Sequence, residues 1–157
     1  MSAPVTNMLV RPAEAADLPA LIDLLGQLFS IERDFQPDPD AQRRGLELFL
    51  RAPERAVLMT VWCEEAGVIG MASAQLVIST ARGALSAWVE DVIVRPEYRG
   101  QGLGRRLLAA VREWAEERGA RRLQLLADRD NAPALEFYRR LGWQPTQLFA
   151  WRVFLEA

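Results

Sequence analysis

A turn rich in glycine stands between an apolar strand-like run and a helical pattern. Its residues are Arg99, Gly100, Gln101, Gly102, Leu103, Gly104 and Arg105. The first amides of a helix have no acceptor within the helix, and the helix dipole places partial positive charge there. Because glycine carries no Cβ, an anion can approach these amides closely, and Arg99 would add a planar set of charged donors. The turn therefore predicts a phosphate site, with tight helix packing as the alternative explanation.

Two common phosphate loops do not fit this turn. The dinucleotide fingerprint needs glycines at its first, third and sixth positions, and the sixth position counted from Gly100 is Arg105. The Walker A loop needs a lysine directly after its last glycine, and no lysine follows any glycine here. Neither a dinucleotide site of that kind nor a P-loop is supported.

Two carboxylates, Glu90 and Asp91, interrupt the apolar run that leads into the turn. Side chains alternate along a strand, so we expect these two on opposite faces of a sheet. An unpaired buried carboxylate is costly, so each should meet a cation, backbone donors or water. Such structural pairing is one interpretation. The other is that desolvation raises the pKa of one carboxylate, which then removes a proton from a reacting group.

A second group of residues covers positions 128–143. Pro133 falls in a first helical turn, apolar residues recur at three- and four-residue steps, and Gly142 is placed to end the helix. On periodicity alone, Tyr138 is a core aromatic of this helix.

Together the two groups resemble the GNAT superfamily of acetyl-CoA-dependent N-acetyltransferases. The family's pyrophosphate loop has the pattern Gln/Arg-x-x-Gly-x-Gly/Ala, which Arg99, Gly102 and Gly104 match. Its helix beside the thioester has the pattern Asn-x-x-Ala-x-x-Phe-Tyr-x-x-x-Gly-Phe/Trp, which the run from Asn131 to Trp143 matches. The order and spacing agree as well, and the resemblance covers almost the whole chain. The departures are small: Trp143 replaces the commoner Phe, and the loop has an additional glycine.

The resemblance implies a role for several residues. Tyr138 would protonate the departing CoA thiolate, Asn131 would hold the pantetheine arm, and a main-chain N–H near Val92 would stabilise the oxyanion. Of the two strand carboxylates, the resemblance favours Glu90 as the base, while Asp91 and water stay open. The cofactor-binding residues would be Val92, Ile93, Val94, Arg99, Gly100, Gln101, Gly102, Leu103, Gly104, Arg105 and Asn131.

The implied reaction is acetyl transfer from acetyl-CoA to a primary amine of a small molecule, by direct attack in a ternary complex. It needs no protein nucleophile and no metal. Two alternatives stay open: a noncatalytic acyl-CoA-binding or regulatory module, and a protein or peptide N-acetyltransferase. The acidic segment 30–40 is either a solvated loop or a flap that meets a cationic amine, and the resemblance favours the flap.

Hydrophobic patterning predicts the elements that position these residues. Strands are expected at 8–10, 56–63, 68–79, 84–94, 122–127 and 148–155, with helices from about 17, from 39 to about 51, from 103 to 118 and over 132–141. The strands that flank the third helix should be parallel, with the glycine turn at their carboxyl ends. The resemblance implies one domain over 1–157 with the α/β GNAT fold: a mixed, mostly antiparallel sheet of six to seven strands and four helices, strands 4 and 5 parallel and splayed. The last strand would pair within the sheet or across a homodimer.

Composition excludes several classes of function. The chain has 157 residues, of which 50% are hydrophobic and 25% charged, as in ordinary soluble domains. Histidine is absent, so histidine-based triads are excluded, and Cys63 is left as the only soft metal ligand. The 19 basic residues are scattered among 21 acidic ones, which does not favour nucleic acid as a partner. No apolar run approaches the roughly 20 residues of a membrane helix, so a cytoplasmic location is expected.

Overall fold

The computed structural model describes residues 7–32 and 34–155, which divide after Leu125 into two compact units. The strands are β1 (Met8–Pro12), β2 (Ala56–Cys63), β3 (Gly67–Ser79), β4 (Ala84–Val94) and β5 (Ala120–Leu125). The first unit also holds the helices α1 (Leu18–Ile31), α2 (Pro39–Leu50) and α3 (Leu103–Glu117), and the second unit holds α4 (Ala132–Arg140). Within the described ranges, no helix combines the length and apolar character needed to cross a membrane.

The first unit is built on one sheet with the strand order β1-β2-β3-β4-β5. Neighbouring strands are antiparallel except β4 and β5, which are parallel as predicted. The parallel ladder ends with the pair of Val89 and Leu125, whereas β4 continues to Val94. The last residues of β4 therefore extend beyond their pairing with β5.

Helices cover both faces of this sheet, as two adjacent residues of β3 show. Met71 belongs to the buried cluster that α1 and α2 form with the sheet. A Cβ on Gly70 would instead lie 3.5 Å from Cδ1 of Leu107, which belongs to α3. Because adjacent strand residues point to opposite faces, α1 and α2 cover one face and α3 covers the other. This explains why β4 is apolar on both sides.

Within the described residues the sheet has five strands, rather than the expected six or seven. The predicted strand at 148–155 is not formed, and its apolar side chains are between 69% and 95% exposed. They are Leu148, Phe149, Trp151, Val153, Phe154 and Leu155. The segment lacks a clear alternation, and an isolated strand without a neighbour has little stability in water. Strand β5 also begins two residues early, directly after Gly119, which ends α3 with φ of 88°.

Candidate active site

A β-bulge interrupts β4 at Asp91. Glu90 pairs with Ser73 and Ile93 pairs with Met71, so two residues of β4 face a single residue of β3. Asp91 has φ of 53°, the one positive φ outside glycine among the residues that the structure describes. Such bulges re-aim a side chain and interrupt the regular alternation of a strand.

The prediction that Glu90 and Asp91 point to opposite faces is therefore wrong. Asp91 lines a cavity formed with residues of α1 and α2. Glu90 pairs with Ser73 of β3. Ser73 is two residues from Met71, so both point to the face that α1 and α2 cover, and Glu90 points to that face as well. Both carboxylates thus belong to the α1 and α2 side of the sheet.

The cavity has a volume of about 240 Å³ and lies among α1, α2, the segment joining them, and β4. Its lining residues are Leu25, Phe29, Gln36, Asp38, Ala41, Gln42, Gly45, Leu46, Phe49 and Asp91. Most of this wall is apolar. Asp38 has another structural task, because its side chain caps α2 by accepting a hydrogen bond from Ala41 N at 3.2 Å. The predicted start of the second helix at Asp38-Pro39 is confirmed.

Asp91 differs electrostatically from the other cavity residues. Burial, followed by the negative charges of Glu90 and Glu32, raises the pKa of Asp91 to about 7. In the described ranges, no hydrogen bond or ion pair to its carboxylate is found. A carboxyl group with a pKa near 7 is partly ionised at neutral pH and is suited to accept a proton.

Glu90 is exposed and held beside the bulge. Its Oε1 accepts a hydrogen bond from Nε1 of Trp88 at 2.8 Å, and Ser73 Oγ donates to its main-chain oxygen at 3.0 Å. These contacts fix Glu90 as a charged neighbour of Asp91.

The acidic segment 30–40 borders the same cavity. Gln36 and Asp38 contribute to the cavity wall, and Glu32 acts on Asp91 through its charge. Phe35 packs against Phe29 with a ring-centroid distance of 5.4 Å. Arg33 lies outside the described residues. This position fits the flap, the exposure of residues 34–40 fits the solvated loop, and the flap stays a prediction.

The glycine turn begins α3 in the way that an anion site requires. Gly100 and Gly102 have φ of 78° and 79°, the left-handed region that favours glycine, and Gly102 is the N-cap of α3. The amide of Arg106 donates to the carbonyl of Gly102 at 3.1 Å. The amides of the residues between them have no acceptor within the helix and are available to a ligand.

Arg99 ties this turn to the end of β4. Its Nε donates to the carbonyl of Val94 at 2.8 Å, so the terminal nitrogens are the part of the guanidinium suited to a phosphate. Arg95, the residue directly after β4, lies with its Nη2 3.5 Å from Oδ2 of Asp23 on α1. Along the chain, the bulge is followed by the predicted residues Val92 to Val94 and then by the glycine turn. The contacts of Arg99 with Val94 and of Arg95 with Asp23 attach this stretch to the sheet and to α1.

The second unit contains the other two predicted site residues. Asn131 is the N-cap of α4, and its Oδ1 accepts a hydrogen bond from Ala134 N at 3.3 Å, which leaves its NH₂ group as the donor for a ligand. Tyr138 is half-buried, with its ring centroid 5.3 Å from that of Phe137 and 5.7 Å from that of Trp143. Gly142 follows α4 with φ of 89°, as its sequence position predicted.

Sequence reasoning missed the bulge and the wall of the cavity. Hydrophobic periodicity predicts a regular strand. It cannot show that β4 has one residue more than β3 at the bulge. The available clue was an aspartate inside an apolar strand, since aspartate tolerates left-handed φ better than most residues. The apolar residues of α1 and α2 that line the cavity gave the same periodic signal as the core.

The family model described as "Acetyltransferase (GNAT) family" matches residues 18–143, a range that includes parts of both units. The chain belongs to the GNAT family. Solved acetyltransferase structures share its fold. One is the aminoglycoside N-acetyltransferase AAC(6')-Iy in complex with CoA, with a TM-score of 0.81, 20% identity and 99% of each chain covered.

Two curated relatives are acetyltransferases by name. Streptothricin acetyltransferase of Streptomyces lavendulae is 44% identical over 63 residues, which are 37% of this chain and 33% of the relative. Glucosamine 6-phosphate N-acetyltransferase of Trypanosoma brucei brucei is 27% identical over 146 residues, covering 89% of this chain and 91% of the relative. Against the first curated relatives that it matches, the chain spans between about a third and a half of their length.

Proposed function

We propose that this GNAT chain transfers the acetyl group of acetyl-CoA to a primary amine of a small molecule, by direct attack in a ternary complex. The observation that best supports this proposal is the position of Asp91. Its carboxylate has a pKa of about 7 and lines a cavity, and the residue belongs to the strand that leads into the glycine turn. A reactive base and a phosphate-binding helix end thus share one continuous stretch of chain.

The coenzyme end of the proposed site is the glycine turn. The free amides at the start of α3, together with the terminal nitrogens of Arg99, are suited to bind the pyrophosphate. The residues Val92 to Val94 would lie along the pantetheine arm, as the family pattern implies. The main-chain N–H of Val92 would stabilise the negative charge that develops on the thioester oxygen.

We propose Asp91 as the base, in place of the Glu90 that the resemblance favoured. Asp91 lines the cavity and has the raised pKa, whereas Glu90 is exposed and bonded to Trp88. Direct transfer requires the amine to lose a proton on its way to the amide product, and a carboxylate with a pKa near 7 is suited to accept that proton. In this proposal Glu90 raises the basicity of Asp91 through its charge.

Two residues at α4 are proposed for the leaving-group side of the reaction. The family pattern supports Tyr138 as the proton donor to the CoA thiolate and the NH₂ group of Asn131 as a donor to the pantetheine arm. A small-molecule acceptor is supported by the names of relatives that act on streptothricin and glucosamine 6-phosphate. A homodimer and a cytoplasmic location stay predictions.

The decisive experiment mixes the purified protein with acetyl-CoA and a panel of primary amines while free thiol is followed. We expect thiol release that depends on the amine, and N-acetylated product by mass spectrometry. Coenzyme binding without thiol release on a broad panel would instead favour the noncatalytic module. Acetylation of peptide amines but not of small amines would favour the protein acetyltransferase.

A further inference from the structure

The cavity at Asp91 restricts which amines the protein can accept. Its volume of about 240 Å³ is below the roughly 300–1,000 Å³ of pockets that enclose drug-sized ligands. It therefore fits the amine-bearing end of an acceptor and the carbon atoms that follow, rather than a whole multi-ring molecule.

The wall offers this end of the acceptor mainly hydrocarbon. Leu25 and Phe29 of α1 line the cavity together with Leu46 and Phe49 of α2. The ring of Phe29 also contacts the ring of Phe35. Such a wall favours an aliphatic or aromatic stem, because a hydroxylated stem would leave buried polar groups without partners.

Two of the polar wall residues are already paired within the protein. Asp38 caps α2, and Gln42 both accepts from Asp38 N at 2.8 Å and donates to the carbonyl of Ile22 at 2.9 Å. Gln36 adds an uncharged amide. Asp91 is thus the charged group of the wall that remains for the acceptor.

Among the described residues, the charged side chains that line the cavity or act on Asp91 are acidic. Asp91 and Asp38 belong to its wall, Glu90 and Glu32 act on Asp91, and no arginine is among the lining residues that the structure describes. This arrangement attracts an ammonium group and opposes a phosphate or carboxylate on the same part of the acceptor.

We propose that the acceptor is a primary amine on an apolar stem without an anionic group, and that this cavity encloses the stem. The inference rests on the proposed function, since it names the substrate class of the same site. It separates this chain from the relative that acts on glucosamine 6-phosphate.

The test compares matched amines that differ only in an anion: aminohexanol with aminohexanoate, and 4-(aminomethyl)benzyl alcohol with 4-(aminomethyl)benzoate. We expect kcat/KM to be at least roughly tenfold higher for the member without the anion in each pair. Equal or better turnover of the anionic members would overturn the substrate class and leave acetyl transfer standing. If none of the four amines leads to thiol release, the proposed function is contradicted. The affinity of the same pairs for CoA-bound protein, measured by calorimetry, would then decide the inference.

A pair of glycine variants tests whether the stem occupies this cavity. Gly45 lines it from α2, and Gly26 lines an adjacent groove of α1 and the start of α2 that shares Gln42 with the cavity; a Cβ at either position meets open space. We expect Gly45→Leu to raise KM for hexylamine at least roughly tenfold, with ethylamine less affected. Gly26→Leu is the matched control and should leave both values unchanged. Equal KM values for both amines in Gly45→Leu and the wild type would show that the stem binds elsewhere.

Discussion

The indole Nε1 of Trp88 donates a hydrogen bond of 2.8 Å to Oε1 of Glu90, and this contact holds a negative charge next to the bulge at Asp91. The carboxylate predicted to be the base is thus bonded to an aromatic residue of its own strand. Its neighbour has the raised pKa, partly through this charge.

Glu90→Gln removes that charge and keeps the shape of the side chain. Because Glu90 raises the pKa of Asp91, the variant should lower that pKa and move the acidic limb of the kcat/KM profile to lower pH. We expect kcat at pH 8 to fall by less than roughly tenfold, since the base is retained. Trp88→Phe is the control, because it removes the hydrogen bond without removing the charge. A loss of the acidic limb in Glu90→Gln would return the base to Glu90.

Asp91→Asn removes the proposed base while keeping a residue that tolerates left-handed φ. We expect kcat/KM at pH 8 to fall by roughly 10²- to 10⁴-fold, the usual contribution of a general base. Acetyl-CoA affinity, measured by calorimetry, should be unchanged. A rate close to that of the wild type would assign proton removal to water or to Glu90.

The same variant should be more stable than the wild type at high pH. The folded pKa of Asp91, about 7, lies above the ordinary aspartate value of 3.8, so ionisation of this group destabilises the folded state. The penalty is absent below pH 4, grows between pH 4 and 7, and is complete above pH 7. Denaturant unfolding should give Asp91→Asn an advantage at pH 8 of at most a few kcal/mol, since one pKa unit is about 1.4 kcal/mol. At pH 4 the two proteins should be equally stable, and an equal difference at both pH values would contradict this account.

Gly102→Val tests the phosphate turn. A β-branched residue at φ of 79° is strained by about 1–2 kcal/mol, and the backbone that presents the amides should shift. We expect the acetyl-CoA Kd to rise at least tenfold, about 1.4 kcal/mol. Gly83→Val is the matched control, because Gly83 has φ of 62° with open space around it and lies in the turn between β3 and β4. If both variants bind the coenzyme as the wild type does, the turn does not hold the phosphates.

Tyr138→Phe tests the proton donor. The ring contacts with Phe137 and Trp143 are kept, so folding should be preserved while the hydroxyl is lost. We expect kcat to fall by roughly ten- to a thousandfold at unchanged acetyl-CoA affinity. Trp143→Phe serves as the control for altered packing around the ring. An unchanged kcat in Tyr138→Phe would mean that another group protonates the thiolate.

Much of the fold could be predicted because the relevant signals are local. Strands β2 and β4 have their predicted bounds, and Gly119 and Gly142 end helices where their sequence positions indicate. The strand at 148–155 could not be judged this way, since a strand requires a pairing partner and sequence patterning does not show one.

The candidate site was predictable in part for a related reason. The glycine turn is a continuous motif whose backbone requirements are visible in its residue types. The choice between Glu90 and Asp91 depended on a bulge and on the charges of other elements, Glu32 among them. These are tertiary effects, so residue types alone did not separate the two carboxylates, and the preference for Glu90 came from the resemblance.

The bulge in β4 is not needed to hold the sheet together. Glu90, before the bulge, and Ile93, after it, point to the same face of the sheet. A chain with one residue fewer could therefore pair β4 with β3 without interruption, and both faces of β4 would stay as they are. Such a deletion protein should resist unfolding at least as well as its parent and have lost its chemistry. We expect hydrogen exchange along β4 to be slower in it, because an unbroken ladder protects its amides better than a bulged one.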